Sequence, residues 1–171
     1  APAKAEPDKP ESQPEPTAPA NDADVDAMKQ DIVDRTNALR KENGIAALTA
    51  NDKLMQAAQV RADEMAANTV YSHTRPDGRK YTTVTDCKYI GENIHLIGEW
   101  QIRDSSLPSF AVEAWKNSAA HLKNMLNTRY HEIGVGVSQG TVMGEPYWYC
   151  VQLFLLDGYN VTWVDAPAAK G

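Results

Sequence analysis

The sequence predicts an α+β domain, helices laid over a small antiparallel sheet, behind an acidic proline-rich leader. Three observations carry that prediction. Apolar residues recur at three- and four-residue steps through the first half, the last third switches to alternation, and Pro2, Pro7, Pro10, Pro14, Pro16 and Pro19 crowd the start.

The leader comes first. Proline fixes φ and removes a backbone donor, so this stretch builds neither helix nor ladder and is read as an extended spacer over residues 1–26. Two lysines there face seven acidic residues, so most of the net charge of −6 belongs to the leader. The near-neutral remainder lacks the clustered basic surface that nucleic acid requires. With 171 residues, 42% hydrophobic and 23% charged, the chain reads as one globular domain with extensions. No apolar run approaches the roughly 18–20 residues that cross a bilayer. No basic-then-apolar stretch opens the sequence, and we read it as the mature form of an exported chain whose signal peptide is gone.

A first helix is predicted from Val25, Met28, Ile32, Thr36 and Leu39, capped by Asp24 or Asp26 and ended at Asn43-Gly44. A second opens at Asn51 or Asp52 and runs to Ala67, burying Leu54, Ala58, Ala62 and Met65. The polar loop Tyr71–Gly78 ends in a Pro-Asp-Gly turn. Tyr89 to Ile97 fits either a strand or a helical turn. From Pro108, suited to a first turn, Val112, Trp115 and Ala119 restore helical spacing, and Leu122, Met125 and Leu126 continue it. Ile133, Val135 and Val137 then alternate with Gly134, Gly136 and Ser138; a turn at Gly140–Pro146 leads to Tyr147–Leu155, making a hairpin.

Local enzyme signatures fail on context. Gly136-Val137-Ser138-Gln139-Gly140 matches a nucleophile elbow by pattern, but a strand leads into another strand there. His131-Glu132 lacks the second histidine of a zinc-protease helix, since Val135 stands in its place. Asn160-Val161-Thr162 is a glycosylation sequon by pattern only. Cys87 and Cys150 sit in no C-x-x-C arrangement and are compatible with one disulfide, two buried thiols or neither. What remains is a dispersed polar set, His73, Glu92 and His121. Two imidazoles and a carboxylate suit zinc or a similar divalent ion, and equally an acid/base pair with Glu92 fixing one tautomer. Spacing alone does not separate these roles from ordinary surface histidines.

Six segments occur in a telling order: Ser72-His73, Gly91-Glu92-Asn93-Ile94, Ala111–Trp115, Ser118–Leu126, Ile133–Val137 and Tyr147–Phe154. Together they resemble the CAP superfamily of cysteine-rich secretory, antigen 5 and pathogenesis-related proteins, most of all its bacterial extracellular branch. The resemblance implies a three-layer α-β-α sandwich over residues 27–160, with 161–171 as a tail. It also implies a cleft of two histidines and two glutamates. His73 matches the first histidine, Glu92 the Gly-Glu-Asn glutamate and His121 the second histidine, while Ser118 stands where the other glutamate usually lies. His95 is a further candidate for the cleft wall.

The same likeness implies a secreted or cell-surface protein and favours a Cys87–Cys150 disulfide. It points to a non-enzymatic binding module whose cleft can hold zinc or another divalent ion. The extracellular ligand would be a lipid, sterol, wall fragment or host protein. The alternative is a metal-dependent, peptidase-like hydrolase, with His73 and His121 holding the ion and Glu92, the one candidate catalytic residue, activating water.

Overall fold

The computed structural model describes residues 21–166, so the spacer reading of residues 1–20 and the tail reading of 167–171 lie outside the described residues. Helix α1 (Asp22–Glu42) starts ahead of its apolar stripe. Its cap is Asn21 rather than Asp24 or Asp26, because the Asn21 side chain accepts the Asp24 N–H at 2.9 Å. Asp22 and Asp24 thereby fall in the first turn, where a carboxylate meets the positive end of the helix dipole. Ile32, Val33, Thr36 and Leu39 form the buried stripe, and Arg40 joins them. Its guanidinium donates to the carbonyls of Ala46, Met125, Asn127 and Tyr130 at 2.7–3.2 Å, tying the helix end to two loops and the sheet.

A two-residue strand, β1 (Thr49–Ala50), precedes α2 (Asp52–Asn68), which Asn51 caps as expected. The ambiguous segment is a strand, β2 (Ile90–Gly98). A single turn, α3 (Glu99–Ile102), leads to α4 (Leu107–Lys116), with Pro108 in its first turn, and to α5 (Ala119–Met125). The hairpin strands β3 (Tyr130–Val142) and β4 (Glu145–Leu156) run further than the alternation indicated. Met143 and Gly144 alone turn the chain, at φ +50° and +82°, the paired left-handed geometry that matches strand twist.

The sheet order is β1-β3-β4-β2, with β1 parallel to β3 and the other pairs antiparallel. Helices α1, α4 and α5 cover one face, and α2 covers the other, giving the three-layer α-β-α sandwich. β4 is apolar on both faces: Trp148, Cys150 and Phe154 meet α1 and α4, whereas Tyr149, Val151, Leu153 and Leu155 meet the α2 side. On β3, Ile133, Val135 and Val137 point to the α1 face, so Gly134 and Gly136 face α2. A Cβ at either glycine would overlap backbone atoms of Leu54 or Ala58. That absence lets the alanine-rich face of α2, with Ala57, Ala58 and Ala62 fully buried, lie directly on the sheet.

The cysteine expectation needs correction. Cys87 and Cys150 are both buried free thiols. Cys150 packs on the α1 face and pairs in register with His95, whereas Cys87 packs on the α2 face, before Ile90. Strand rise alone puts roughly 17 Å between the Ile90 and His95 positions, and a disulfide needs Cα atoms within about 7 Å.

Both rims of the sheet are closed by side chains. On β2, Tyr81 Oη donates to the Ile90 carbonyl at 2.9 Å, Asn124 Nδ2 to that of Glu92 at 3.5 Å, and Tyr71 Oη and Trp115 Nε1 to that of Ile94 at 3.1 Å. On β3, the Val135 N–H donates to Met55 Sδ, and the Gln59 amide both accepts from and donates to the Val137 backbone, at 3.2 and 2.7 Å.

Residues 161–166 pack onto the domain. Val161 is buried, Val164 bridges to Thr85, and Asp165 accepts from Arg75 and Arg79 at 2.8 and 2.7 Å. The folded unit therefore reaches from Asp22 to Asp165, past both ends of the 27–160 span.

Candidate functional site

Two neighbours on β2, Glu92 and Asn93, organise the site because a strand points consecutive side chains to opposite faces. Glu92 turns to the α2 side. Its Oε2 accepts from Arg61 Nε at 2.7 Å, and its Oε1 accepts from Arg61 Nη2 at 3.0 Å and meets His73 Nδ1 at 2.8 Å. Both side chains of the Arg61–Glu92 pair are fully excluded from solvent, while the His73 side chain is 54% exposed. An ionised carboxylate only accepts, so the pairing places the proton on His73 Nδ1 and leaves Nε2 as a free lone pair facing outward.

Arg61 also secures the loop that carries His73. Its Nη2 donates to the Ser72 carbonyl at 2.7 Å and its Nη1 to Glu64 at 3.0 Å. Glu64 in turn accepts from Arg75, which reaches Asp165. Alternating charges thus run from the cleft to the C-terminal segment. The loop closes on itself through the Thr74–Lys80 bridge and the Tyr81 N–H donating to the His73 carbonyl at 3.0 Å.

Asn93 turns to the other face and is fully buried. Its Nδ2 donates to the His121 carbonyl and to Gln152 Oε1, both at 3.0 Å, and its Oδ1 accepts from Asn124 at 2.9 Å. Gln152 continues to Thr36 at 2.8 Å. Every buried amide in this ladder has a partner, which locks α5 and hence His121 against the strand edge. His73 and His121 therefore approach the β2 rim from opposite faces, one held through Glu92 and the other through Asn93.

His121 is half-buried. Burial, with the nearby charge of His73, holds its pKa below the ordinary histidine range. His95 stacks on Phe110 with ring centroids 6.5 Å apart, and burial, then the charge of His121, lowers it too. Ser118 is the residue before α5; it is half-buried, and its side chain makes no capping bond. The structure thus joins His73 directly to Glu92, and sets His121 near His73 and His95 near His121. Among the described residues, no three His, Cys, Asp or Glu side chains are grouped to hold a metal ion.

The sequence reading missed Arg61, Tyr71, Tyr81 and the Asn93–Gln152 ladder. Arg61 had a signal: it falls seven residues after Leu54 on the apolar stripe of α2, and a cation in such a stripe needs an internal partner. Tyr71 and Tyr81 flank the His73 loop, with the His73 and Tyr81 rings 5.9 Å apart. Burial, then the charges around it, raises the Tyr71 phenol.

Comparisons with known proteins agree on the family. The model of the cysteine-rich secretory protein family (CAP) matches residues 33–154. An uncharacterised Bacillus subtilis protein, YkwD, is 30% identical over 125 residues, covering 72% of this chain and 48% of its own. Among solved structures, an extracellular Bacillus anthracis protein containing an SCP domain superposes with a TM-score of 0.60 at 23% identity, over 82% of this chain and 45% of that one. An outer surface protein of Borrelia burgdorferi superposes at 0.56 with 16% identity, over 82% of this chain and 98% of that one. The chain spans about half the length of the curated relative and of the Bacillus anthracis protein. The sandwich, the Gly-Glu-Asn strand edge and the matched span agree: this chain belongs to the CAP, or cysteine-rich secretory protein, family.

Proposed function

We propose that the protein acts outside the cell as a binding module, and that its His73–His121 cleft captures ligand without turning it over. The observation that supports this most is the state of Glu92: both of its oxygens are committed, to Arg61 and to His73. A water-activating carboxylate needs a free, solvent-facing lone pair, and Glu92 is sealed from solvent behind an arginine. Ser118, where the family usually has its other glutamate, supplies no replacement. Glu92 instead orients His73, as a carboxylate behind a ligating imidazole does.

The cleft then offers two imidazoles to a ligand. Those imidazoles are also where a divalent ion such as zinc would sit, with solvent completing its shell and Glu92 supporting from behind. Bound there, the ion would supply a Lewis-acid anchor for an oxygen or carboxylate of the ligand. An extracellular place is supported by the extracellular description of the Bacillus anthracis neighbour and by the lack, among described residues, of a helix long and apolar enough to cross a membrane.

A melting-temperature screen against zinc, sterols, lipids, wall fragments and candidate host proteins tests the reading. At one hundred times Kd, a ligand adds about 2.7 kcal/mol, a shift of roughly 5–10 °C for a domain of this size. The shift should vanish in the His73→Ala/His121→Ala double variant. Turnover of a peptide that disappears on metal removal and in Glu92→Gln would reverse the assignment to the hydrolase.

A further inference from the structure

Lys29 is 9% exposed, yet among the described residues its ammonium makes no hydrogen bond and no ion pair within 4 Å. Asp26 and Asp63 act on it only through space. Burying three donors without partners is costly, and such donors are expected to meet acceptors that arrive from outside. Lys29 lines two cavities, of about 530 and 470 Å³, which also share Gln59 and Asp63 and so form one groove along α2. On α2 the lining runs from Lys53 to Asp63, about 15 Å at the helical rise.

The groove's chemistry narrows its occupant. Trp163 stands at one end, 55% exposed, presenting its indole to solvent. Amides follow, Gln56 and Gln59 and then Gln139, with Ser138 and Thr162 adding hydroxyls. Three carboxylates, Asp22, Asp26 and Asp63, outweigh Lys29 and Lys53, so a polyanion is repelled. An extended peptide finds no run of backbone partners, because Met55 and Gln59 already close β3 at Val135 and Val137. A lipid tail finds too many polar groups. What fits is a chain of neutral rings, with a C–H face to lie on tryptophan and hydroxyls and acetamides to pair with amides, carboxylates and one buried ammonium.

We propose that this groove, on the far side of the sheet from α4 and α5, binds a glycan strand built of N-acetylhexosamines. Lys29 takes an acetamide or hydroxyl oxygen, and Trp163 stacks on a sugar face. The site does not depend on the His73–His121 cleft.

Intrinsic tryptophan fluorescence of the whole chain, titrated with N-acetylglucosamine tetramer and separately with soluble glycan strands from bacterial wall, tests this. Saturable quenching is expected. Trp163→Ala and Lys29→Met should each weaken binding at least tenfold by calorimetry, and His73→Ala/His121→Ala should bind like the original chain. Lys29→Met retains the aliphatic stem that packs in the groove; should it still fail to fold, Trp163→Ala decides alone. Response to both glycans assigns the shared acetamido sugar, and response to wall strands alone assigns the wall polymer. No response to either at millimolar concentration overturns the proposal. So does unchanged affinity in Trp163→Ala, or displacement by a sulfated polyanion.

Discussion

Replacing Arg61 by methionine isolates the ion pair at the centre of the site. The methionine keeps the aliphatic stem against α2's neighbours but removes a guanidinium that is fully buried with Glu92. The Glu92 carboxylate then stays sealed in the sandwich with only His73 beside it, and the Ser72 carbonyl loses its donor. Breaking one side of a buried pair costs about 3–5 kcal/mol, because the remaining charge keeps its desolvation penalty without its compensation. For a domain of this size that lowers Tm by on the order of 10 °C. Urea unfolding followed by tryptophan fluorescence should show the loss as a lower midpoint at unchanged slope.

Two controls sharpen that result. Adding Glu92→Gln to the Arg61→Met background removes the stranded charge and should restore at least about 1 kcal/mol, a coupling typical of residues in contact. Arg61→Met should also lose less at pH 4.5 than at pH 7, because an unpaired buried carboxyl is raised above its unfolded value and its protonation relieves the strain. A loss below about 1 kcal/mol at pH 7, or no recovery with Glu92→Gln, would show that Glu92 is rehydrated. The description of the site as a closed ion pair would then be wrong.

Further expectations are as direct. Gly136→Ala drives a Cβ into the Ala58 backbone and should cost about 3 kcal/mol or block folding, whereas Gly158→Ala, with open space around it, should be limited to the strain of its φ of +87°. Thiol titration should find two reactive cysteines after unfolding without reductant and almost none before; a single oxidised mass would restore the disulfide. His95 and His121 are held below their ordinary value in the folded chain, so the unfolded chain binds more protons once pH drops below about 6.5. Stability should therefore fall from pH 7 to 5, and a His95→Gln/His121→Gln variant should flatten that slope in calorimetry. Asp165, held low by Arg79 hydrogen bonding first, loses its contribution only in deeper acid.

The elements were legible because burial leaves a period. The stripe of α1, the alanine face of α2 and the Ile-Gly-Val-Gly-Val alternation of β3 each record which side meets the core. Asn21 was not legible as a cap, since several small polar residues precede α1 and only geometry chooses among them. The candidate site was half legible. His73, Glu92 and His121 emerged from a resemblance, and the structure connects the first two directly. Arg61 and Gln152 escaped because a polar residue inside an apolar pattern announces a partner without naming it, and theirs lie 31 and 116 residues away. The cysteine pairing failed for a related reason. Sheet neighbours in sequence order can still face opposite layers, and parity along β4 decides which.

The side chains that close the two rims of the sheet also fix its width. An open strand edge is a template, and one exposed in solution invites a neighbouring copy to extend it into a polymer. Here tyrosine, tryptophan, asparagine and glutamine act as stoppers, so concentrated copies remain separate particles with no ladder to continue. Loss of a stopper such as Gln59 would leave the fold standing yet make the molecule sticky, a defect visible in light scattering long before it appears in a melting curve.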